Sequence, residues 1–330
     1  MKAALVTYVL FALSFILLPQ HPLFILISMA LWGIGFELIL FSDFHFIDES
    51  LAHPQHAIGW SVIKTFTGVA YMIGPLVASF LFERSIKMAP VGALLMIVLS
   101  GLWFIWLAKS MNRNRELTEK TERKHSIVHE FRVWQLLLPK LWPVLLFIFM
   151  ATVVDATFWT IGSVLSENLK ELHPFGGFLV TVYMLPSLFA YFIGSWLGRF
   201  LGKKRTAFMG GILAGISFVF VGFTNDILIL LSLVFVASFF LSLSTPEIYG
   251  AVEDYIERLG QNANALVGLE NSVTSLSFIV GPILAGAIAR YFGDQITFTV
   301  IGAMLFGISL LAIIIVPRKI HLPHQLLAKA

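Results

Sequence analysis

The chain contains no cysteine. Disulfides, thiolate metal ligands and thiol catalysis are therefore excluded, while the compartment is left open. Charge is scarce as well: Asp, Glu, Lys and Arg make up 12% of the 330 residues, against roughly 25% in a soluble domain. No G-x-x-x-x-G-K-[ST] loop occurs, so ATP hydrolysis by this chain is not expected. The nine histidines all fall outside the long apolar runs. His53 and His56 are close together, but they sit in a Pro-containing loop with no further ligand type beside them, and neither a metal site nor a cofactor is expected.

What is abundant is apolar side chain, at 58% of the chain. A single aqueous core cannot hide that much. The runs are continuous, not alternating, and approach the ~20 residues that cross a bilayer as a helix, which argues against a β-barrel. The reading is an all-α polytopic membrane protein with ten transmembrane helices, at about 3–19, 23–42, 59–82, 90–108, 141–166, 175–198, 206–223, 227–247, 265–289 and 296–316. Lys2 followed by an apolar run to Leu18 has the outline of a signal peptide, but no small-x-small cleavage pattern precedes Pro19, so it is read as a retained span.

Lys and Arg set the orientation. With the N-terminus in the cytoplasm, only Arg84, Lys87, Lys170 and Arg290 fall on the far side and Lys64 falls within a span; the rest of the 22 are cytoplasmic, as are both termini. The 109–140 stretch is a linker charged with both signs. Its second part has Ile127, Phe131 and Trp134 at helical spacing beside His129 and Arg132, which fits either an interfacial helix or a solvated linker.

The chain also repeats itself. Glu37, Asp43, Gly59 and the Gly74-Pro75 pair recur in order as Glu247, Glu253, Gly268 and Gly281-Pro282. The first four spans match the last four, and 141–166 and 175–198 have no partner. Internal repeats of this size are a recognised build of secondary transporters.

Two copies of a helical unit joined by a cytoplasmic linker resemble the major facilitator superfamily. The segment Gly194–Arg205, GSWLGRFLGKKR, resembles the second-half version of that family's loop motif, with Arg199 where an Asp is usual. Gly68 with Gly74-Pro75 resembles the fifth-helix motif of its antiporters, with Ala78-Ser79 in place of two glycines; no Arg stands near Met29, where a fourth-helix motif would place one. The resemblance implies a two-bundle architecture with an incomplete first bundle: a four-helix unit at 1–108, equivalent to the family's third to sixth helices, a linker at 109–140, and a six-helix bundle with a short tail at 141–330. It carries the expectation that two helices precede Met1 in a complete version, and that the 330-residue chain alone is inactive, with a groove open to lipid.

Ionisable side chains inside spans cost about 2.5–3.5 kcal/mol on insertion scales and are functional candidates. Asp155 leads, mid-span, with Thr152, Trp159 and Gly162 on its helical face. That stripe suits the wall of a solvated cavity with a proton-carrying acid; it also suits an Asp held by a neighbouring helix. Glu270, with Asn271 beside it, heads a second stripe of Thr274, Ser277 and Gly281. Lys64 shares a face with Trp60, Gly68 and Tyr71, and either snorkels, pairs with an acid or touches substrate. Glu37, on a face with Ala30 and Gly33 that suggests close packing, and its repeat mate Glu247 fit a cytoplasmic gate better than a substrate site. Gly74, Pro75, Gly281 and Pro282 fit kinks and close packing, or else a pivot. Gly194, Gly198, Gly202, Gly211 and Gly215 fit helix packing.

The function expected is secondary active transport by alternating access, coupled to a proton or other ion. Export of an apolar or cationic compound and uptake of a sugar or metabolite are both open. So are a non-transporting remnant and a membrane enzyme acting on lipid-linked substrates, although such an enzyme would need a converging set of catalytic residues that the chain lacks. The partners expected are a small-molecule substrate, a coupling ion and the lipid bilayer, with no nucleic acid, and the chain is expected to be a monomer.

Overall fold

The computed structural model describes residues 2–19, 21–50, 56–85, 87–111 and 127–317. His53 and the 112–126 part of the linker lie outside them. Every regular element among the described residues is helical. In chain order these are α1 (Lys2–Leu17), α2 (Pro22–Ser50), α3 (His56–Arg84), α4 (Met88–Met111), α5 (Ile127–Thr157), α6 (Ser163–Leu172), α7 (Leu179–Met184), α8 (Ser187–Leu201), α9 (Lys203–Val221), α10 (Ile227–Leu259), α11 (Ala263–Phe292) and α12 (Asp294–Ile315).

Ten spans are read from the sequence, but among the described residues eight helices are long and apolar enough to cross a membrane. α1 has 16 residues, about 24 Å at 1.5 Å per residue, short of the ~30 Å hydrocarbon core. α3 spans 29 residues, and its 65–82 stretch carries no Asp, Glu, Lys or Arg. The chain is nonetheless a multi-pass membrane protein, because the remaining helices are apolar over spanning lengths.

The helices fall into two compact units. In the first, α1 packs against α2 and α4. Ser14 Oγ donates to Ser28 Oγ at 2.6 Å, and Gly35 admits the Tyr8 ring, which a Cβ there would meet at 3.2 Å. The close packing expected at Gly33 and Gly74 is not found among the described residues, where a Cβ at either meets nothing within 4 Å. A small residue permits an approach without supplying the partner, and on α2 it is Gly35 that has one. α3 runs unbroken through Pro75.

The second unit holds α5 to α12 with the 61–69 stretch of α3. α9 is its tightest seam. A Cβ on Gly211 would lie 2.5 Å from the Phe147 ring, and one on Gly215 would lie 2.7 Å from the Phe306 backbone nitrogen. Both glycines are therefore helix-packing positions, as are Gly194 and Gly198, which face α10. Gly202 serves differently. Its φ of 89° ends α8 in the left-handed region that side chains avoid, and its N–H donates to Gly198 O at 2.9 Å. Asp226 caps α10, accepting from Leu228 N–H at 2.8 Å and Ile229 N–H at 3.2 Å.

The stretch from Ile127 to Lys140 is the first part of α5, continuous with the span that follows. Val133 and Leu137 are buried, and Trp134 Nε1 donates to Ala265 O on α11 at 2.6 Å. The face bearing Val133, Trp134 and Leu137 is therefore taken up by the bundle, while Phe131, at 58% exposed, points away from it.

Candidate functional site

Two helices of the second unit are interrupted, and the interruptions meet. α5 passes through a π-helical turn at Phe158–Gly162 before α6. Such turns admit one extra residue and leave backbone groups poorly matched. Hydroxyls cover them here: Thr157 Oγ1 donates to Val153 O at 2.8 Å, Thr160 Oγ1 to Ala156 O at 2.9 Å, and Ser163 Oγ to Trp159 O at 3.0 Å. α7 stops at Met184, because Pro186 has no N–H to continue the ladder. Ser187 Oγ then donates to Met184 O at 2.7 Å, and Ser238 Oγ on α10 donates to Tyr183 O. Where lipid offers no donor, such hydroxyls satisfy carbonyls that the broken ladder leaves open.

Asp155 and Tyr183 stand at these two breaks. The Tyr183 hydroxyl donates to Asp155 Oδ1. Its ring stacks on Phe158, with centroids 3.7 Å apart and planes 6° from parallel, and Phe158 in turn meets Phe298 at 5.5 Å. Tyr183 is 3% exposed, so the acid is held by a side chain that is itself locked in place. Tyr249 on α10 lies within electrostatic reach of Glu270 and Asp155 and faces the hydroxyls of Thr274 and Thr152. Thr152, Glu270 and Asn271 are buried, and Asn271 Nδ2 has no hydrogen-bond partner among the described residues.

The structure thus brings together Asp155 and Thr152 on α5 with Glu270 on α11, and adds Tyr183 and Tyr249, which reasoning from the sequence did not single out. Trp159, half-buried, belongs to the π turn. Gly162 leaves the face of Asp155, because the extra residue advances the register; a Cβ on it would meet the Phe158 ring at 3.0 Å. The stripe on α11 divides. Glu270 and Thr274 face Tyr249, while Ser277 is fully buried and a Cβ on Gly281 would lie 2.9 Å from Ala156 Cβ. Gly281 is therefore a close contact of α11 with α5, and α11 runs unbroken through the neighbouring Pro282.

The remaining candidates stand apart. Glu247 is buried on α10 and Arg199 is exposed near the end of α8, within electrostatic reach of it. Lys64 and Pro75 lie on α3. Glu37 is half-buried on α2. Tyr71 is 41% exposed and within electrostatic reach of Tyr8 in the first unit.

A family model of the Major Facilitator Superfamily matches residues 146–329, more than half of the chain. The chain belongs to the major facilitator superfamily. The reading as a lipid-modifying enzyme is thereby set aside. Over 138 residues the chain is 30% identical to the multidrug efflux pump Tap of Mycobacterium tuberculosis, a match covering 39% of this chain and 33% of that protein. The match thus spans about a third of the length of this curated relative. The fold is similar to that of the human organic anion transporter MFSD10 (TETRAN), at TM-score 0.71 and 18% identity over 96% of this chain and 75% of that one. It is also similar to the Escherichia coli fucose:proton symporter FucP, at TM-score 0.66 and 15% identity over 96% of this chain and 83% of that one. At these identities the two structures speak for the major facilitator fold alone.

Proposed function

We propose that this chain is a secondary active transporter that moves a small molecule by alternating access, takes its energy from a proton gradient through Asp155, and exports apolar or cationic compounds. The observation that carries the reading is the bond from Tyr183 to Asp155 at the meeting point of two interrupted helices, because broken helices that free backbone and polar groups near mid-membrane are a recurrent setting for transporter sites. The match to Tap supports efflux as the direction. Both termini in the cytoplasm, a monomeric unit, bundles at 1–108 and 141–330 and a gate at Glu37 and Glu247 belong to the same proposal.

Uptake of a sugar or similar metabolite is the second reading. It is favoured by the unpartnered Asn271 Nδ2 and the hydroxyls of Thr152, Thr274 and Tyr249, since polyhydroxylated ligands pair with such groups.

The test is reconstitution in liposomes with an imposed proton gradient. A cationic dye is expected to move opposite to the proton flow, contrary to the sequence-based expectation that this chain alone is inactive, and Asp155→Asn is expected to abolish that movement while the protein remains folded. Unchanged gradient-driven movement in Asp155→Asn would overturn the role of Asp155. Transport of a sugar with protons and no dye movement would select the second reading.

A further inference from the structure

Glu247 follows Pro246 within α10, and its carboxyl fills a notch that only glycine leaves open. A Cβ on Gly198 of α8 would lie 1.7 Å from Glu247 Oε2 and 2.2 Å from its Cδ. The residue is 5% exposed, and Oε2 is buried with no hydrogen-bond partner among the described residues. An ionised carboxylate only accepts hydrogen bonds, so one oxygen buried without a donor forfeits its hydration uncompensated.

The charged groups that face it are Arg199 on α8, Lys203 on α9 and Asp254 on α10 itself. Arg199 is exposed. Lys203 is committed elsewhere, to Asp254 Oδ1 at 2.8 Å and to Gly250 O at 3.0 Å. The nearest ammonium therefore already has a counter-ion. A proton on the carboxyl removes the uncompensated charge without disturbing either contact.

We infer that Glu247, seated in the Gly198 notch, is a proton-binding site of this chain separate from Asp155, and that its proton holds α8 against α10. When the proton leaves to water, the carboxylate is drawn out of the notch toward Arg199 and Lys203, and the seam between α8 and α10 loosens. The ligand is the proton alone, and no bond other than O–H is made or broken. The inference does not rest on the proposed substrate or direction.

Infrared difference spectroscopy on the purified chain in lipid nanodiscs, taken across a pH titration, reads this without any transport. A protonated-carboxyl stretch is expected at neutral pH, sensitive to D2O and lost on alkalinisation. It should persist in Asp155→Asn and vanish in Glu247→Gln. Glu247→Asp, which keeps the acid, should shift the band and not remove it, which guards against a misfolded Gln variant. A neutral-pH spectrum with no such band, or a band that neither Glu247 substitution changes, overturns the inference. A band lost only in Asp155→Asn overturns it as well and leaves the role of Asp155 in transport intact.

Discussion

Tyr183 does two things with one side chain: its hydroxyl donates to Asp155 while its ring lies flat on Phe158. Removing the hydroxyl separates the two. Tyr183→Phe keeps the stack and leaves Asp155 Oδ1 short of this donor, a loss of about 1.5–3 kcal/mol for a bond to a charged acceptor. The expected outcome is gradient-driven transport lowered roughly tenfold together with a melting temperature lowered by several degrees, checked by initial rates in liposomes and melting in detergent. Asp155 is legible in the sequence because an acid in the middle of an apolar run has few structural excuses. Tyr183 and Tyr249 are not, because tyrosine is at home both in lipid-facing and in polar surroundings, and only the fold shows which carboxylates they meet. Gly33 and Gly74 mislead for the converse reason: a missing side chain marks room for a neighbour, and the neighbour is not written beside it.

At the scale of the element, the sequence shows the lengths of the spans and conceals their continuity. Hydropathy reads 141–166 and 175–198 as two uninterrupted helices, although Pro186 stands in plain view in the second. A run of apolar residues keeps the same hydropathy whether or not each carbonyl finds its donor, and one extra residue in a π turn changes no composition at all. The breaks are held by hydroxyls contributed from elsewhere, above all Ser238 on α10, which donates to Tyr183 O. Ser238→Ala leaves that carbonyl unmatched in a buried position. It is expected to lower stability by about 1–3 kcal/mol, seen as a lower melting temperature, with helix content by circular dichroism unchanged. A melting temperature equal to that of the unsubstituted chain would show that another donor takes over the carbonyl.

For the whole molecule, the orientation proposed from the sequence rests on basic residues near span ends, which resist translocation. The count of spans is less openly written there: α1 and α3 are helices as expected, yet α1 at 16 residues falls short of a full crossing. The absence of cysteine makes orientation directly measurable. Single cysteines introduced at Lys170 and at Arg205 are expected to differ, the first labelled from outside intact cells by a membrane-impermeant maleimide and the second only after permeabilisation. The opposite pattern would invert the proposed orientation.

The length of the α5–α6 rod gives it leverage. Glu130–Leu172 runs for 43 residues, about 65 Å at 1.5 Å per residue, roughly twice the thickness of the hydrocarbon it crosses. With the π turn as fulcrum, α5 is an arm of about 46 Å, so a tilt of about 10° sweeps its Ile127 end through roughly 8 Å. Trp134 ties that arm to α11 at Ala265, so a tilt of that size either carries the start of α11 with it or breaks this bond.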